Sequence, residues 1–373
     1  MVPTTIKNPI KSLYVHIPFC AHLCHYCDFT KMLYEADRAD RYLERLFFEL
    51  DQYRLSKLDT LYVGGGTPTS LSGPQLERLL TKLQPLIAKT AEFTVEANLE
   101  NATEEKLNLL IRHGVNRLSL GVQTFNEGHL RAMNRFHRPE DADKTIALAR
   151  LSGFSNISVD LIYDLPGQTD EELRHDLDMI LSLDVPHIST YSLTVHPQTV
   201  FGISKIPEAD DETSRRHYDI ILDVLRKNGY ERYEVSNFAK PGFEGRHNLN
   251  YWNNGHFVGV GLGASGYLPG FRYQNTMNLT KYLAGSAVAD IDQIDAKAQE
   301  TDFLMLGLRL KRGFAAQRYR ELFAADFAVR YQNAILRLTK GGLLQTDGKR
   351  WYATDEGLML LDHVVLTLLK ECD

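Results

Sequence analysis

Six short apolar segments, each followed by a stretch with helical spacing of apolar residues, constrain this chain more than any other feature. They cover residues 13–17, 60–63, 92–97, 117–123, 157–163 and 187–193. Between them, residues 40–55 carry Leu43, Leu46, Phe47 and Leu50 at helical intervals, and 103–113 and 170–183 also read as helices. Ser72-x-x-Gln75 and Thr169-x-x-Glu172 are capping boxes, which satisfy N–H groups left open where a helix starts. Strands alternating with helices in this way predict an α/β fold, a parallel sheet with right-handed crossovers. Open and curled forms of that sheet remain alternatives at this level.

Beyond residue 210 the pattern changes. A helix over 210–228 and a strand over 230–237 are followed by Pro241-Gly-Phe-Glu-Gly245, which breaks the chain. Residues 246–285 mix aromatic, asparagine and glycine residues, as a long functional surface segment does. After 296 come helices over 302–310, 316–322 and 327–340, a hairpin around Gly348 and a last helix from Glu356, which together resemble a winged-helix-like module. With 373 residues and 43% hydrophobic content the chain supports a large domain, 1–285, and a smaller one, 296–373. Its 42 basic and 48 acidic residues leave a net charge of -6 and no global basic field, so no nucleic-acid partner is expected. No apolar run of signal-peptide or membrane-spanning length occurs, which predicts a cytosolic protein.

Three of the four cysteines fall in one loop, Cys20-Ala-His-Leu-Cys24-His-Tyr-Cys27, directly after the first strand. Thiolates are soft ligands that select zinc, copper(I) or iron–sulfur clusters. Zinc held by three cysteines and one of His16, His22 or His25 is one reading. An iron–sulfur cluster with one iron left open is the other, since such clusters take one cysteine per iron. Cys372, next to the chain end, reads as an ordinary free thiol. A disulfide framework does not suit so large a chain with so few cysteines.

The spacing Cys20-x3-Cys24-x2-Cys27 also resembles the signature of the radical S-adenosyl-L-methionine (SAM) superfamily. The flanking Tyr14-Val-His-Ile-Pro-Phe-Cys20 and Tyr26-Cys27-Asp-Phe29 are similar to its coproporphyrinogen dehydrogenase-like branch. That resemblance implies a partial barrel of six β/α units and a 4Fe-4S cluster on Cys20, Cys24 and Cys27, whose open iron binds the amino and carboxylate groups of SAM.

Polar residues interrupt the strand ends where a β/α barrel places its active site. Gly64-Gly-Gly66 lets a ligand approach the backbone, or simply makes a tight turn. Glu96, Gln123 and Asp160 interrupt successive strands in register, and buried carboxylates need partners, either a ligand or a structural cation. The family resemblance implies SAM contacts at Tyr14, Tyr26, Gly65, Gly66, Thr67, Glu96, Gln123, Arg135 and Asp160. It extends to Leu165-Pro-Gly-Gln-Thr169, although Asp164 stands where glycine is more usual and puts that turn in doubt.

Two functions follow from the branch. One is oxygen-independent coproporphyrinogen III dehydrogenase, which oxidatively decarboxylates two propionates; the other is a haem chaperone of the HemW type. The dehydrogenases carry a further cysteine where this chain has Phe29, and a longer extension than the 19 residues ahead of Cys20. His247-Asn248-Leu-Asn-Tyr251-Trp252 matches the His-Asn-x-x-Tyr-Trp motif of the haem chaperones. Histidine is a standard haem ligand, aromatic rings suit a porphyrin face, and Arg246 can pair with a propionate or stand as a solvated charge. The expectation is a haem carrier with a SAM-binding cluster, without dehydrogenase activity. It would pass haem to an acceptor protein, dock peripherally where the acceptor is membrane-bound, and dimerise with haem.

Overall fold

Alternation along the six strands decides the shape of the sheet. In the computed structural model, which describes residues 10–371, they are β1 (Ser12–Ile17), β2 (Leu58–Gly65), β3 (Ile87–Asn98), β4 (Arg117–Gln123), β5 (Asn156–Tyr163) and β6 (His187–Ser192). They pair in that order, all parallel, so aligned residues share a face. Leu13, Leu61, Phe93, Leu118 and Val159 are on one face, each 0% exposed. Tyr14, Tyr62, Ser119, Asp160 and Tyr191 belong to the other.

The apolar face is covered by helices, among them Ala36–Leu50 with Leu43 and Leu46, Gly73–Leu83 with Leu76 and Leu79, and Asp170–Ser182 with Leu173 and Leu177. Burying each such leucine contributes on the order of 2 kcal/mol. The expected caps form: Ser72 N–H donates to Gln75 at 3.2 Å and Thr169 N–H to Glu172 at 2.9 Å. The polar face converges on a single concavity, so the sheet is curled. It stays open as a partial barrel.

The edges show where sequence periodicity misleads. Beyond β6 the expected strand over 230–237 splits into β7 (Glu231–Arg232) and β8 (Asn237–Ala239), and β8 pairs antiparallel with both β6 and β7. The split is caused by Glu234, a fully buried carboxylate that turns inward to accept from Ser236 N–H at 3.1 Å and from Arg309 at 2.8 Å. Beside β1, at the opposite edge, runs β9 (Val258–Val260), also parallel.

Residues 246–285 are therefore not a surface segment. They supply the helix Arg246–Trp252, the edge strand β9, and the hairpin of β10 (Ser265–Leu268) and β11 (Phe271–Asn275), which β12 (Val288–Gln293) completes as a second sheet. A separate core follows, built from Phe303, Leu308, Phe314, Tyr319, Phe327 and Leu338. Its helices pack with a small sheet of β13 (Phe314–Ala315), β14 (Leu344–Thr346) and β15 (Arg350–Ala353). Cys372 lies outside the described residues.

Candidate functional site

The cysteine loop is closed at its base by backbone bonds from Met32 N–H to Pro18 O at 2.7 Å and from Tyr34 N–H to Cys20 O at 2.9 Å. Residues past β4 clamp its tip, with Asn134 donating to Leu23 O at 2.8 Å and His25 N–H to Met133 O at 3.1 Å. Arg135 Nη1 lies 3.7 Å from Cys24 Sγ, and Thr67 Oγ1 3.8 Å from Cys20 Sγ. Burial pushes the Cys20 thiol up to about 11 and Cys27 upward too, so both are neutral thiols until a metal displaces the proton.

Which metal fits can be read from the neighbours. Both nitrogens of His16 are engaged, by Tyr14 Oη at 3.0 Å and Thr30 O at 2.8 Å, and His25 Nδ1 is 2.9 Å from Ala132 O. His22 stacks on Phe136 with ring centroids 3.9 Å apart. Among the described residues no three His, Cys, Asp or Glu side chains converge on a single ion. Zinc on three cysteines and a histidine would have to draw on His22 or His25, since both nitrogens of His16 are taken. A cluster that takes each thiol on a different iron does not require such convergence.

The glycine run is a steric necessity here. A Cβ on Gly64 would sit 2.7 Å from the Glu96 carboxyl, one on Gly65 2.6 Å from the His16 ring, and one on Gly66 2.9 Å from Cys20 Sγ. Gly65 also has φ +117°, which side-chain-bearing residues rarely adopt. The run passes between the cysteine loop and β3 and borders a cavity of about 360 Å³ over the polar face.

Cys20, Cys24, Cys27, Tyr26, Gly65, Gly66, Thr67, Glu96, Gln123, Arg135 and Asp160 all line this cavity. Tyr14 does not; its hydroxyl orients His16 from below. The acids are not level as expected: Glu96 aligns with Ser119, whereas Asp160 aligns with Gly121, which in turn aligns with Asn98 one inward-facing position higher. Gln123 ends β4 with φ +73°, after a register shift.

Tyr62 donates to Glu96 Oε1 at 2.7 Å and Gly65 N–H to Oε2 at 3.1 Å, yet burial holds Glu96 up to about 7. Burial likewise raises Asp160 to about 6, against hydrogen bonds from Ser189 and Ser119. Arg135 bonds Asn98 Oδ1 at 3.0 Å and Gly121 O, but its buried Nε has no partner. Two acids that burial leaves poorly stabilised as anions, a cation with an open donor and glycine backbone at the cavity wall suit a ligand carrying an ammonium, a carboxylate and hydroxyls.

Sequence reasoning missed Tyr62, Asn98, Ser119, Tyr191 and His196, which also line the cavity. The period-2 alternation of β2 and β4 held the signal for Tyr62 and Ser119. Asp164 proves compatible with its turn: at φ +60° its carboxylate accepts from Ser192 at 2.7 Å and faces His217 Nδ1 at 2.7 Å.

The motif segment occupies the opposite end of the same concave face. Glu92 accepts from the backbone N–H groups of Arg246 and His247, both at 2.8 Å, and so fixes the start of the helix Arg246–Trp252. His247 is 1% exposed; Nδ1 is 2.8 Å from Thr60 Oγ1, Nε2 2.7 Å from Tyr251 Oη, and the ring packs on Tyr62. No ring nitrogen is left to coordinate iron in this arrangement. Arg246 donates to Thr90 O at 2.7 Å, Asn248 and Tyr251 are half-buried, and Trp252 lies under the Arg309 guanidinium at 4.4 Å.

Fold and site together define a radical SAM protein, and residues 14–180 match the Radical SAM superfamily, with the HemN C-terminal domain matched over 294–360. Superfamily membership implies a 4Fe-4S cluster and SAM as cofactors. The chain is 41% identical to the haem chaperone HemW of Lactococcus lactis, over 95% of this chain and 96% of that protein. To the haem chaperone HemW of Bacillus subtilis it is 37% identical, over 97% and 100%. It belongs to the HemW haem chaperone family. Among solved structures, coproporphyrinogen III oxidase (HemN) from Escherichia coli, a radical SAM enzyme, superposes with a TM-score of 0.85 at 25% identity, over 98% of this chain and 91% of that one. Among the described residues no helix is long and apolar enough to cross a membrane.

Proposed function

We propose that this protein binds haem and passes it to haem-dependent proteins, while carrying a SAM-coordinated 4Fe-4S cluster on Cys20, Cys24 and Cys27. The observation that carries this reading is end-to-end similarity to proteins named haem chaperones, at 41% identity over 95% of the chain. Such a cluster supplies electrons to bound SAM. In this reading Arg135 pairs with the SAM carboxylate, Gly65, Gly66 and Thr67 border its amino end, and Glu96, Gln123 and Asp160 meet its polar groups. Tyr26 covers the site.

The dehydrogenase is the second reading, favoured by the likeness to HemN. A shared fold does not carry an activity, and Phe29 stands exposed in the cavity wall where the dehydrogenases have a cysteine. We further place the radical SAM domain at 1–285 and a winged-helix-like domain at 296–373, the latter supported by its separate core. Docking on a membrane acceptor and haem-dependent dimerisation complete the proposal.

The test is a haemin titration of the reconstituted protein beside a turnover assay with coproporphyrinogen, SAM and a reductant. Stoichiometric haemin binding without protoporphyrinogen is expected; rapid protoporphyrinogen formation would restore the dehydrogenase.

A further inference from the structure

A second cavity, of about 460 Å³, opens where the end of the motif helix meets the C-terminal core. Its walls include Trp252 and Phe257 from the motif side, Tyr267 from β10, and Met305 and Leu306 from the helix Ala296–Arg309. Size and aromatic, apolar lining are those of a small-molecule site. Met305 is 45% exposed in that wall. Two wall atoms, Trp252 Nε1 and Asn254 Oδ1, are buried without a hydrogen-bond partner, although such groups are normally paired.

Charge around the cavity is unequal. At one end stand Asp290, Asp292 and Asp302, the last two sharing Arg272 at 2.8 and 3.1 Å, so that end stays acidic. Just outside the wall on the motif side, the Arg312 guanidinium donates to Asn253 Oδ1 at 3.4 Å, and Arg318 has Glu321 at 4.0 Å. Both arginines are exposed. His256, whose imidazole burial and the nearby Arg318 charge both keep from protonating, lies tilted against Tyr267 with ring centroids 4.8 Å apart. The pattern suits a flat apolar ring whose anionic substituents point one way. Met305 places a thioether, one of the donors a haem iron accepts, in the wall itself, while the His256 imidazole stands behind Tyr267.

We infer that this junction cavity holds the haem macrocycle with its propionates towards Arg312 and Arg318, and that His247 anchors the motif helix rather than ligating the iron. The inference rests on the haem-binding reading above and assigns its site.

The experiment titrates the full-length, cluster-reconstituted protein with haemin and follows the Soret band. Ser265→Trp places an indole in the cavity from an exposed wall position. It should weaken haemin binding at least tenfold while keeping wild-type cluster content and melting temperature. The surface double variant Arg312→Glu/Arg318→Glu should weaken haemin in the same way and leave the affinity for haemin dimethyl ester unchanged. His247→Gln should keep the band positions and spin state of the bound iron. Haemin binding indifferent to both cavity variants, or a His247→Gln complex with altered axial ligation, overturns this assignment while the haem reading stands. Absence of stoichiometric haemin binding by the wild type overturns both.

Discussion

The Tyr251 hydroxyl lies 2.7 Å from His247 Nε2, one helical turn away, while Nδ1 lies 2.8 Å from Thr60 Oγ1. Thr60 itself donates to Ser12 Oγ at 2.9 Å, so its oxygen accepts from Nδ1–H and Nε2 accepts from Tyr251. The imidazole thus links β1 and β2 to the motif helix. Replacing it with alanine orphans the Tyr251 hydroxyl, takes a donor from Thr60 and opens a hole, so His247→Ala should cost about 2–4 kcal/mol. Tyr251→Phe should cost about 1 kcal/mol. Urea unfolding of both variants checks the order.

Acid should act through the same residue. Burial, with Arg117 nearby, pushes His247 down to about 3, whereas the unfolded chain takes up that proton near 6.5. Below pH 6.5 the unfolded state therefore binds more protons, and the contribution present at higher pH drains away towards pH 3. From pH 7 to 5.5 the loss should be about 1 kcal/mol. His247→Gln should show a shallower loss over that interval; identical slopes would contradict a buried neutral imidazole.

Glu96 has the opposite sign. Its carboxyl is held up to about 7 by burial, so the folded protein keeps a proton that the unfolded chain releases near 4.5. Stability from this group is full below pH 4.5 and is lost as pH rises through about 7. Relative to wild type, SAM-free Glu96→Gln should gain up to about 2 kcal/mol between pH 5 and 8, read from denaturation midpoints.

Gly66 is pressed against the cysteine loop, its missing Cβ 2.9 Å from Cys20 Sγ and 2.8 Å from Phe19 O. Gly66→Ala must displace one of them. The variant should fold, by circular dichroism, yet incorporate less than half the wild-type iron and sulfide on anaerobic reconstitution.

Arg135 Nε is the buried donor left open beside the cysteine loop. Arg135→Lys keeps the charge but lacks the planar fork, and should weaken SAM binding about tenfold. Equilibrium dialysis measures this, with cluster content as the control for the contact at Cys24.

Much of the scaffold was legible because its signals are local. Capping boxes, strand periodicity and the cysteine spacing depend on near neighbours in the chain, and they anticipated the six parallel strands, the caps and the clustered thiols. What each residue faces was not local. Glu96 and Asp160 looked level in sequence and differ by one inward-facing position, because parallel register is set between strands. Tyr14 was expected at the cavity and instead bonds His16.

The motif helix is the sharpest case. His247 to Trp252 could be recognised from the chain alone, but its burial could not, because Thr60, Glu92 and Tyr62 reach it from strands more than 150 residues earlier. Sequence by itself determined the superfamily, the grouping of three cysteines in one loop and the alternation that makes one sheet face polar. Only the tertiary structure decided which polar atoms were already satisfied. Hydrogen bonding is settled by what long-range packing brings within about 3 Å, and that packing leaves Arg135 Nε open while closing both nitrogens of His247.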